Sequence, residues 1–70
     1  MNLFKTSLYY NGNEIFINLD NVTAILEDDK TQNAIFDCIG DDENRTYFTN
    51  EPYPIAIKRI LQGDLLEANK

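Results

Sequence analysis

The sequence contains no histidine and no tryptophan, and cysteine occurs once, at Cys38. Without histidine, the usual proton shuttle near neutral pH is missing, and Cys38 has no imidazole to activate it as a nucleophile. A disulfide within the chain is impossible, and zinc sites built from imidazole and thiolate ligands are excluded. The three glycines are isolated, so no glycine-rich phosphate-binding loop is present. These absences predict a protein that is not an enzyme and holds no cofactor or metal ion.

Basic side chains are also scarce. Six lysines and arginines stand against twelve aspartates and glutamates, which gives a net charge of −6. A surface of that sign repels a phosphate backbone, so we expect no direct binding of nucleic acid. No apolar stretch approaches the roughly 18 residues that span a bilayer, and the first residues lack the basic and apolar regions of a secretory signal. Because a lone thiol also suits a reducing compartment, we expect a cytoplasmic protein that does not bind membranes.

Seventy residues predict one small globular domain, over residues 1–70. A chain of this length buries only roughly 60% of the surface that its unfolded form exposes. The hydrophobic fraction of 43% is too high for intrinsic disorder, but it provides only a small core. Because neither a disulfide nor a metal ion can supplement that core, we expect self-association or docking onto a larger partner.

Short β-prone segments follow one another along most of the chain. The predicted strands are residues 3–10, 14–19, 22–27, 33–39 and 45–49. Asn11-Gly12 is a strong hairpin signal between the first two strands, and Asp20-Asn21 marks the next turn. In the second strand, alternation places Ile15, Ile17 and Leu19 on one face and Phe16 on the other. In the fourth strand it predicts an apolar, core-facing set: Ala34, Phe36 and Cys38.

The pattern changes after the fifth strand. Thr49 or Asn50 is a candidate helix cap, Pro54 suits the first helical turn, and Gly63 is a natural stop. One apolar helical stripe is predicted: Ile57, Ile60 and Leu61. We expect residues 64–70 to fray. The fold class is therefore α+β: an antiparallel meander of about five short strands with one C-terminal helix. A small, partly open barrel is the variant that the same strands allow.

Two groups of features remain as candidates for function. Six carboxylates could form an acidic interaction surface: Glu27, Asp28, Asp29, Asp41, Asp42 and Glu43. The later group lacks the ligand spacing of a calcium loop, and a solvated loop tip is the simpler interpretation. Six aromatic rings lie in strands or at their ends: Tyr9, Tyr10, Phe16, Tyr47, Phe48 and Tyr53. We expect the core to take about half of these rings and the remainder to suit a protein interface.

The segment NGNEIFINLDNV, residues 11–22, resembles the opening of the small flagellar FlbD-type proteins. Those proteins begin with an Asn-Gly turn, a short apolar strand, an Asn, and then an Asp before the next strand. The matching positions are Asn11, Gly12, Glu14, Ile17, Asn18, Asp20 and Val22. Leu19 departs from the pattern, since the family tends to have proline there, and Asp41-Asp42-Glu43 lengthens a later hairpin. The resemblance implies a small, non-enzymatic accessory protein and supplies no catalytic or binding residue.

Short β-rich chains are also common among prophage-encoded and other bacterial proteins, and the Asn- and Ile-rich composition resembles that of AT-rich bacterial genomes. We predict a protein-interaction or accessory module that binds a protein partner or a second copy of itself as a homodimer, because exposed sheet edges either pair or are blunted. The alternative is an acidic inhibitor that mimics nucleic acid, as some phage-encoded proteins do, and binds the basic groove of a nuclease or DNA-binding protein. A negative surface that serves only solubility would explain the same charge.

Overall fold

The fold places strands first and the helix near the end, in a computed structural model that describes residues 2–40, 44–63 and 66–67. The strands are β1 (Asn2–Ser7), β2 (Glu14–Asn18), β3 (Val22–Glu27), β4 (Asn33–Ile39), β5 (Asn44–Pro52) and β6 (Leu66–Glu67), and the helix is α1 (Tyr53–Leu61). One 3-10 turn, Leu19–Asn21, joins β2 to β3. The predicted bounds of the third and fourth strands are confirmed. The short strand β6 was not predicted, because residues 64–70 were expected to fray.

Two antiparallel sheets contain these strands, in the orders β2-β1-β6 and β3-β4-β5. The sheets meet where Leu8, just after β1, forms a bridge with Thr49 of β5. Beside it, the Tyr9 N–H donates a 2.8 Å hydrogen bond to the Phe48 carbonyl. Within the described ranges the sheets do not close into a barrel. The prediction of a small α+β domain with an antiparallel meander and one helix is confirmed.

The core lies between the two sheets and the helix. Its buried apolar members are Phe4, Ile17, Ala34, Phe36, Cys38 and Ala56. The rings of Phe4 and Phe36, from different sheets, lie 5.5 Å apart between centroids. The core-facing set predicted for β4 is confirmed in full. In β2, Ile17 is buried while Ile15 and the following Leu19 pack against the core from its margin, which confirms the predicted face.

The buried face of α1 differs from the predicted stripe. Ala56 is the fully buried residue of the helix, and Tyr53 and Ile60 pack beside it. Leu61 is 80% exposed, so its assignment to the apolar stripe is wrong. Side chains three and four positions apart lie on the same face of a helix. Because Ala56 is buried, Tyr53 and Ile60 lie on the buried face as well, and Leu61 does not. A small alanine at the centre also lets the helix lie close to β4 and β5.

Neither predicted cap closes the helix N-terminus. The Thr49 hydroxyl instead donates to the Ala34 carbonyl at 2.7 Å, and the Asn50 amide donates to the Leu8 carbonyl at 2.9 Å. Both residues belong to β5, which runs to Pro52, beyond the predicted end of the strand. The first helical N–H, of Tyr53, donates to the Gln32 carbonyl at 3.0 Å. A loop carbonyl thus satisfies a helix-terminal donor in place of a side-chain cap.

Two hairpin loops share one hydrogen-bonding pattern. In the first, Leu8 donates to the Asn13 carbonyl and Gly12 donates to the Leu8 carbonyl, each at 2.9 Å. In the second, Asp28 donates to Asn33 and Gln32 donates to Asp28. Each loop therefore has four residues between its closing pair, and the hairpin predicted at Asn11-Gly12 is confirmed. The left-handed position is Gly12 in one loop (φ 71°) and Gln32 in the other (φ 65°).

An ion pair ties the helix to both sheets. Arg59 Nη1 lies 2.6 Å and 2.7 Å from the two carboxylate oxygens of Glu51 on β5, and the Thr6 hydroxyl donates to the same carboxylate at 2.9 Å. Arg59 Nη2 donates to the Lys5 carbonyl at 3.1 Å. The guanidinium carbon lies 4.4 Å from the centre of the Phe4 ring, within cation–π distance. One side chain on α1 therefore contacts β1, β5 and the core.

We expect Gly12→Val to lower the free energy of unfolding by about 1–3 kcal/mol, since a β-branched residue is strained at positive φ. No other group lies within 4 Å of the position that a Cβ would take, so the loss would come from the backbone alone. Gln32→Gly at the equivalent position of the other loop is the control and should stabilise the fold by about 1 kcal/mol. Urea denaturation measures both. Unchanged stability of Gly12→Val would contradict the left-handed turn.

We expect Arg59→Met to lower the free energy of unfolding by about 2–3 kcal/mol, because it leaves the Glu51 carboxylate without its guanidinium partner. The cost stays below that of a fully buried pair, since the Arg59 side chain is 27% exposed and that of Glu51 13%. Lys58→Met, one position earlier and exposed, is the control and should change stability by less than about 0.5 kcal/mol. A double-mutant cycle with Glu51→Gln tests the coupling. If Arg59→Met lowered the free energy of unfolding by the same amount in the Glu51→Gln background as in the wild-type chain, the two side chains would not be coupled.

Candidate interaction surface

The outer face of the β3-β4-β5 sheet is built by simple alternation. In β4, Ala34, Phe36 and Cys38 point into the core, so Ile35 and Ile39 point away from it. Register then decides their neighbours. Ile35 pairs with Leu26 on β3 and with Phe48 on β5. These three side chains, Leu26, Ile35 and Phe48, form a continuous apolar row across the sheet, which we call the outer row.

The outer row is open to solvent at both ends. Leu26 is 48% exposed and Phe48 is 45% exposed, while Ile35 on the central strand is half-buried. Isolated exposed apolar side chains are common on monomers, but a contiguous row across three strands is the pattern typical of a contact surface. Phe48 and Leu26 therefore supply apolar area that another molecule could cover.

Acidic residues follow the outer row at one end of the sheet. Glu27 ends β3, and Asp28 and Asp29 continue into the loop toward β4. Glu27 and Asp29 are exposed. Asp28 is half-buried, and its Oδ1 accepts the Lys30 N–H at 2.8 Å, which holds the loop. We call Glu27, Asp28 and Asp29 the acidic loop.

The acidic loop and the outer row line one shallow depression of about 610 Å³, to which Lys30 also contributes. An apolar floor beside carboxylates suits a partner with an apolar centre and a basic rim. The carboxylates would attract such a partner over several ångströms, and the row would provide the area to bury.

The other half of the predicted acidic set lies outside the described residues: Asp41, Asp42 and Glu43. Gly40, which precedes them, follows the end of β4 opposite to the acidic loop. The seven residues of β4 separate Asp28 from Gly40 by roughly 23 Å at the rise of an extended strand. The structure thus brings together Glu27, Asp28 and Asp29, beside an apolar row that the sequence prediction of this surface did not include.

The aromatic rings divide less evenly than expected. Of the six predicted candidates, Tyr47 and Tyr53 pack against the core. The other four are exposed: Tyr9, Tyr10, Phe16 and Phe48. Tyr10 and Phe48 both line a second shallow depression of about 330 Å³, next to Arg45. Phe48 thus lies between two open depressions and extends the apolar surface from the outer row toward the first hairpin loop.

A third depression, of about 490 Å³, lies beside the Arg59 ion pair. Its charged side chains are Lys5, Glu14, Glu51 and Arg59. Lys5 Nζ lies 3.1 Å from Glu14 Oε2, and Arg59 pairs with Glu51. Because each charge already contacts an opposite one, the depression offers little net charge to a ligand, and we assign its polar groups to the fold.

Residues 2–40, 44–63 and 66–67 contain no cluster of three histidine, cysteine or carboxylate side chains that could hold a metal ion. In the same ranges, no helix has the length and apolar character needed to cross a membrane. Cys38 is 7% exposed and lies in the core, as predicted. Burial, and secondly the charge of neighbouring Asp37, raises the pKa of the Cys38 thiol above its ordinary value.

We expect Cys38 to react with an aromatic disulfide reagent at pH 8 more than about tenfold more slowly in the folded protein than in urea, because burial limits both thiolate formation and access. The raised pKa has a second consequence. As the pH rises, the Cys38 thiol loses its proton at a lower pH in the unfolded chain than in the folded protein. Above about pH 8.5 the free energy of unfolding should therefore fall as the pH rises. Cys38→Ala removes this contribution. Equal reaction rates in the folded and unfolded protein would contradict the burial of Cys38.

Comparison with protein-family models, with curated proteins and with solved structures found no match to this chain. The resemblance to FlbD-type proteins therefore stays a prediction from residues 11–22. A function for the chain has to be inferred from the outer row and the acidic loop themselves.

Proposed function

We propose that this chain is a non-enzymatic protein-interaction module that binds a partner protein through the outer row and the acidic loop. The observation that supports the proposal most is the position of Phe48. Its half-exposed ring continues an apolar row across three strands, next to Glu27, Asp28 and Asp29. Aromatic side chains at the centre of a contact patch supply a large share of binding energy in protein complexes.

The partner has an apolar patch surrounded by lysine or arginine side chains. The acidic loop and the net charge of −6 would speed its association and weaken it as salt is added. This role agrees with the accessory function that the FlbD-type resemblance implies, and we place it in the cytoplasm because a lone thiol suits a reducing compartment.

The alternative of a nucleic-acid mimic assigns binding to carboxylates alone. Phosphate groups repeat along a backbone, whereas Glu27, Asp28 and Asp29 lie together at one hairpin and border an apolar floor. That arrangement favours a mixed apolar and acidic contact. The two functions differ in their need for Phe48. A nucleic-acid mimic would bind through the carboxylates without Phe48, whereas the proposed module needs both.

Affinity capture from a lysate of the source organism, at low and at high salt, tests the proposal with variants of the bait. Phe48→Ser should reduce retention of the captured partner by about tenfold or more, in line with the loss of a central aromatic residue. Asp29→Lys should reduce retention mainly at low salt. Ile55→Ser, at a similarly exposed apolar residue on α1, is the matched control and should retain the partner.

Two results would count against the proposal. Equal losses with Phe48→Ser and Ile55→Ser would show that the outer row is not the contact. Loss with Asp29→Lys and none with Phe48→Ser would favour the acidic mimic. Circular dichroism of each variant establishes that the fold is retained.

A further inference from the structure

Strand β2 forms an outer edge of its sheet. It pairs with β1 on one side, and no strand of the described part of the chain pairs with its other side. Its sequence is EIFIN, with one acidic residue at its start and no proline. The pairing register with β1 is unbroken from Ser7–Glu14 to Leu3–Asn18, so no bulge interrupts it.

The backbone direction along β2 follows from two hydrogen bonds. Leu8 donates to Asn13 at 2.9 Å, which makes this pair a hydrogen-bonded site of the ladder. Along an antiparallel ladder, hydrogen-bonded pairs alternate with non-hydrogen-bonded pairs. Lys5–Phe16 is the third pair after Leu8–Asn13, so it is a non-hydrogen-bonded pair. Independently, the Lys5 carbonyl accepts from Arg59 at 3.1 Å and so points away from β2. The N–H and carbonyl of Phe16, and by the same alternation those of Glu14 and Asn18, therefore point outward from the sheet edge.

The edge strands β3 and β5 of the other sheet have features that hinder pairing with another chain, and β2 lacks most of them. On β3, the register shifts between Val22 and Ala24, a bulge that disrupts the ladder of an incoming strand. The Thr23 hydroxyl donates to the Asp37 carbonyl at this bulge, and Glu27 charges the far end of the strand. The edge of β5 is covered at Phe48 by the Tyr9 N–H. Apart from Glu14 at its start, β2 has none of these features in the part of the chain that the structure describes. An unprotected strand edge is a template for pairing with another strand.

The sequence of β2 is complementary to itself in one antiparallel register. A twofold axis at Phe16 places Phe16 opposite Phe16 of the second copy, and Glu14 opposite Asn18 of the second copy. Each of these residues has outward backbone groups, so every pair falls on a hydrogen-bonded site. No two like charges face each other, a carboxylate meets an amide at both ends, and two aromatic rings meet at the centre.

We propose that β2 pairs with β2 of a second copy of this chain, antiparallel and centred at Phe16, to form a dimer with one continuous sheet. The five residues of β2 span roughly 17 Å, which is a small contact for a stable dimer. The dimer is therefore weak and dissociates on dilution. Because each copy has a net charge of −6, repulsion opposes association, and added salt strengthens the dimer. Binding of a basic partner would respond to salt in the opposite direction.

The first measurement is mass by light scattering behind size exclusion, over a dilution series at two salt concentrations. We expect a mass that rises from 8.1 kDa toward twice that value with concentration, more readily at high salt. A mass that stays at the monomer value up to about 1 mM would overturn the proposal, because a strand pair too weak to form there has no measurable affinity.

Amide hydrogen exchange at low and high protein concentration identifies the contact. The amides of Glu14, Phe16 and Asn18 should exchange more slowly at high concentration, whereas those of Ile15 and Ile17, which face β1, should not change. This alternation is specific to a strand added at the β2 edge. Concentration-dependent protection confined to β3 or to the outer row would show that dimers form through another surface and would overturn the proposal.

A matched pair of variants completes the test. Phe16→Glu places two carboxylates opposite each other on the twofold axis, while within one chain the new side chain lies opposite Lys5, so the monomer keeps its fold. We expect it to abolish the mass increase. Phe48→Glu makes the same change at a similarly exposed phenylalanine in the outer row and should leave the dimer intact. Dimers that persist in Phe16→Glu would overturn the proposal without bearing on partner binding through the outer row.

Discussion

The contact of Arg59 with Glu51 and the Phe4 ring is the interaction on which the arrangement of this fold depends. The chain has a small core, and its two sheets are joined by the contact of the Phe4 and Phe36 rings and by the Leu8–Thr49 bridge. Arg59 adds a further connection, because it reaches from α1 to the carboxylate of β5 and the Lys5 carbonyl of β1. With the helix held there, Ala56 can cover the core beside Phe36. The helix thus occupies the inner side of β4 and β5, and their outer side stays open.

An open outer side is what gives the chain its candidate contact surface. A single helix cannot cover both faces of a sheet, so the alternation that buries Phe36 and Cys38 also exposes Ile35 and its neighbours in register. In an α+β domain this short, the second face is left to solvent or to a partner. Phe48 and Leu26 make that face apolar, and the acidic loop makes one of its ends negatively charged. The surface is therefore a direct consequence of the fold.

Local patterns predicted much of this fold, and long-range contacts account for what they missed. The two faces of β4 followed from strict alternation at Ala34, Phe36 and Cys38, and Gly63 ended the helix at positive φ as expected. The helix face did not follow, because Ala56 is buried by a close approach to the sheets that helical periodicity does not encode. Thr49 and Asn50 were expected to cap the helix, but they bond to carbonyls far away in the sequence. The contact between Arg59 and Glu51 has no local signature either, since a cation near a helix end is equally suited to the helix dipole.

The candidate surface was predictable only in part for the same reason. Acidic residues are visible in a sequence, so Glu27, Asp28 and Asp29 were identified, but the outer row depends on which residues pair across strands. Leu26, Ile35 and Phe48 are distant in sequence and become neighbours only through register. No periodicity within one strand predicts such a set.

The two phenylalanines that follow the hairpin loops show how strongly register decides whether a side chain is buried. The tetrapeptides Asn-Glu-Ile-Phe and Asn-Ala-Ile-Phe begin at Asn13 and Asn33, directly after loops of the same geometry. Phe36 is fully buried, whereas Phe16 is 51% exposed. Their partners across the ladder explain the difference: Phe36 pairs with Ile25, which packs against the core, and Phe16 pairs with the exposed Lys5. In the first hairpin the core takes Phe4 and Ile17, so Phe16 is left at the centre of an open edge. The same local sequence thus supplies a core residue in one hairpin and an exposed residue on an edge strand in the other.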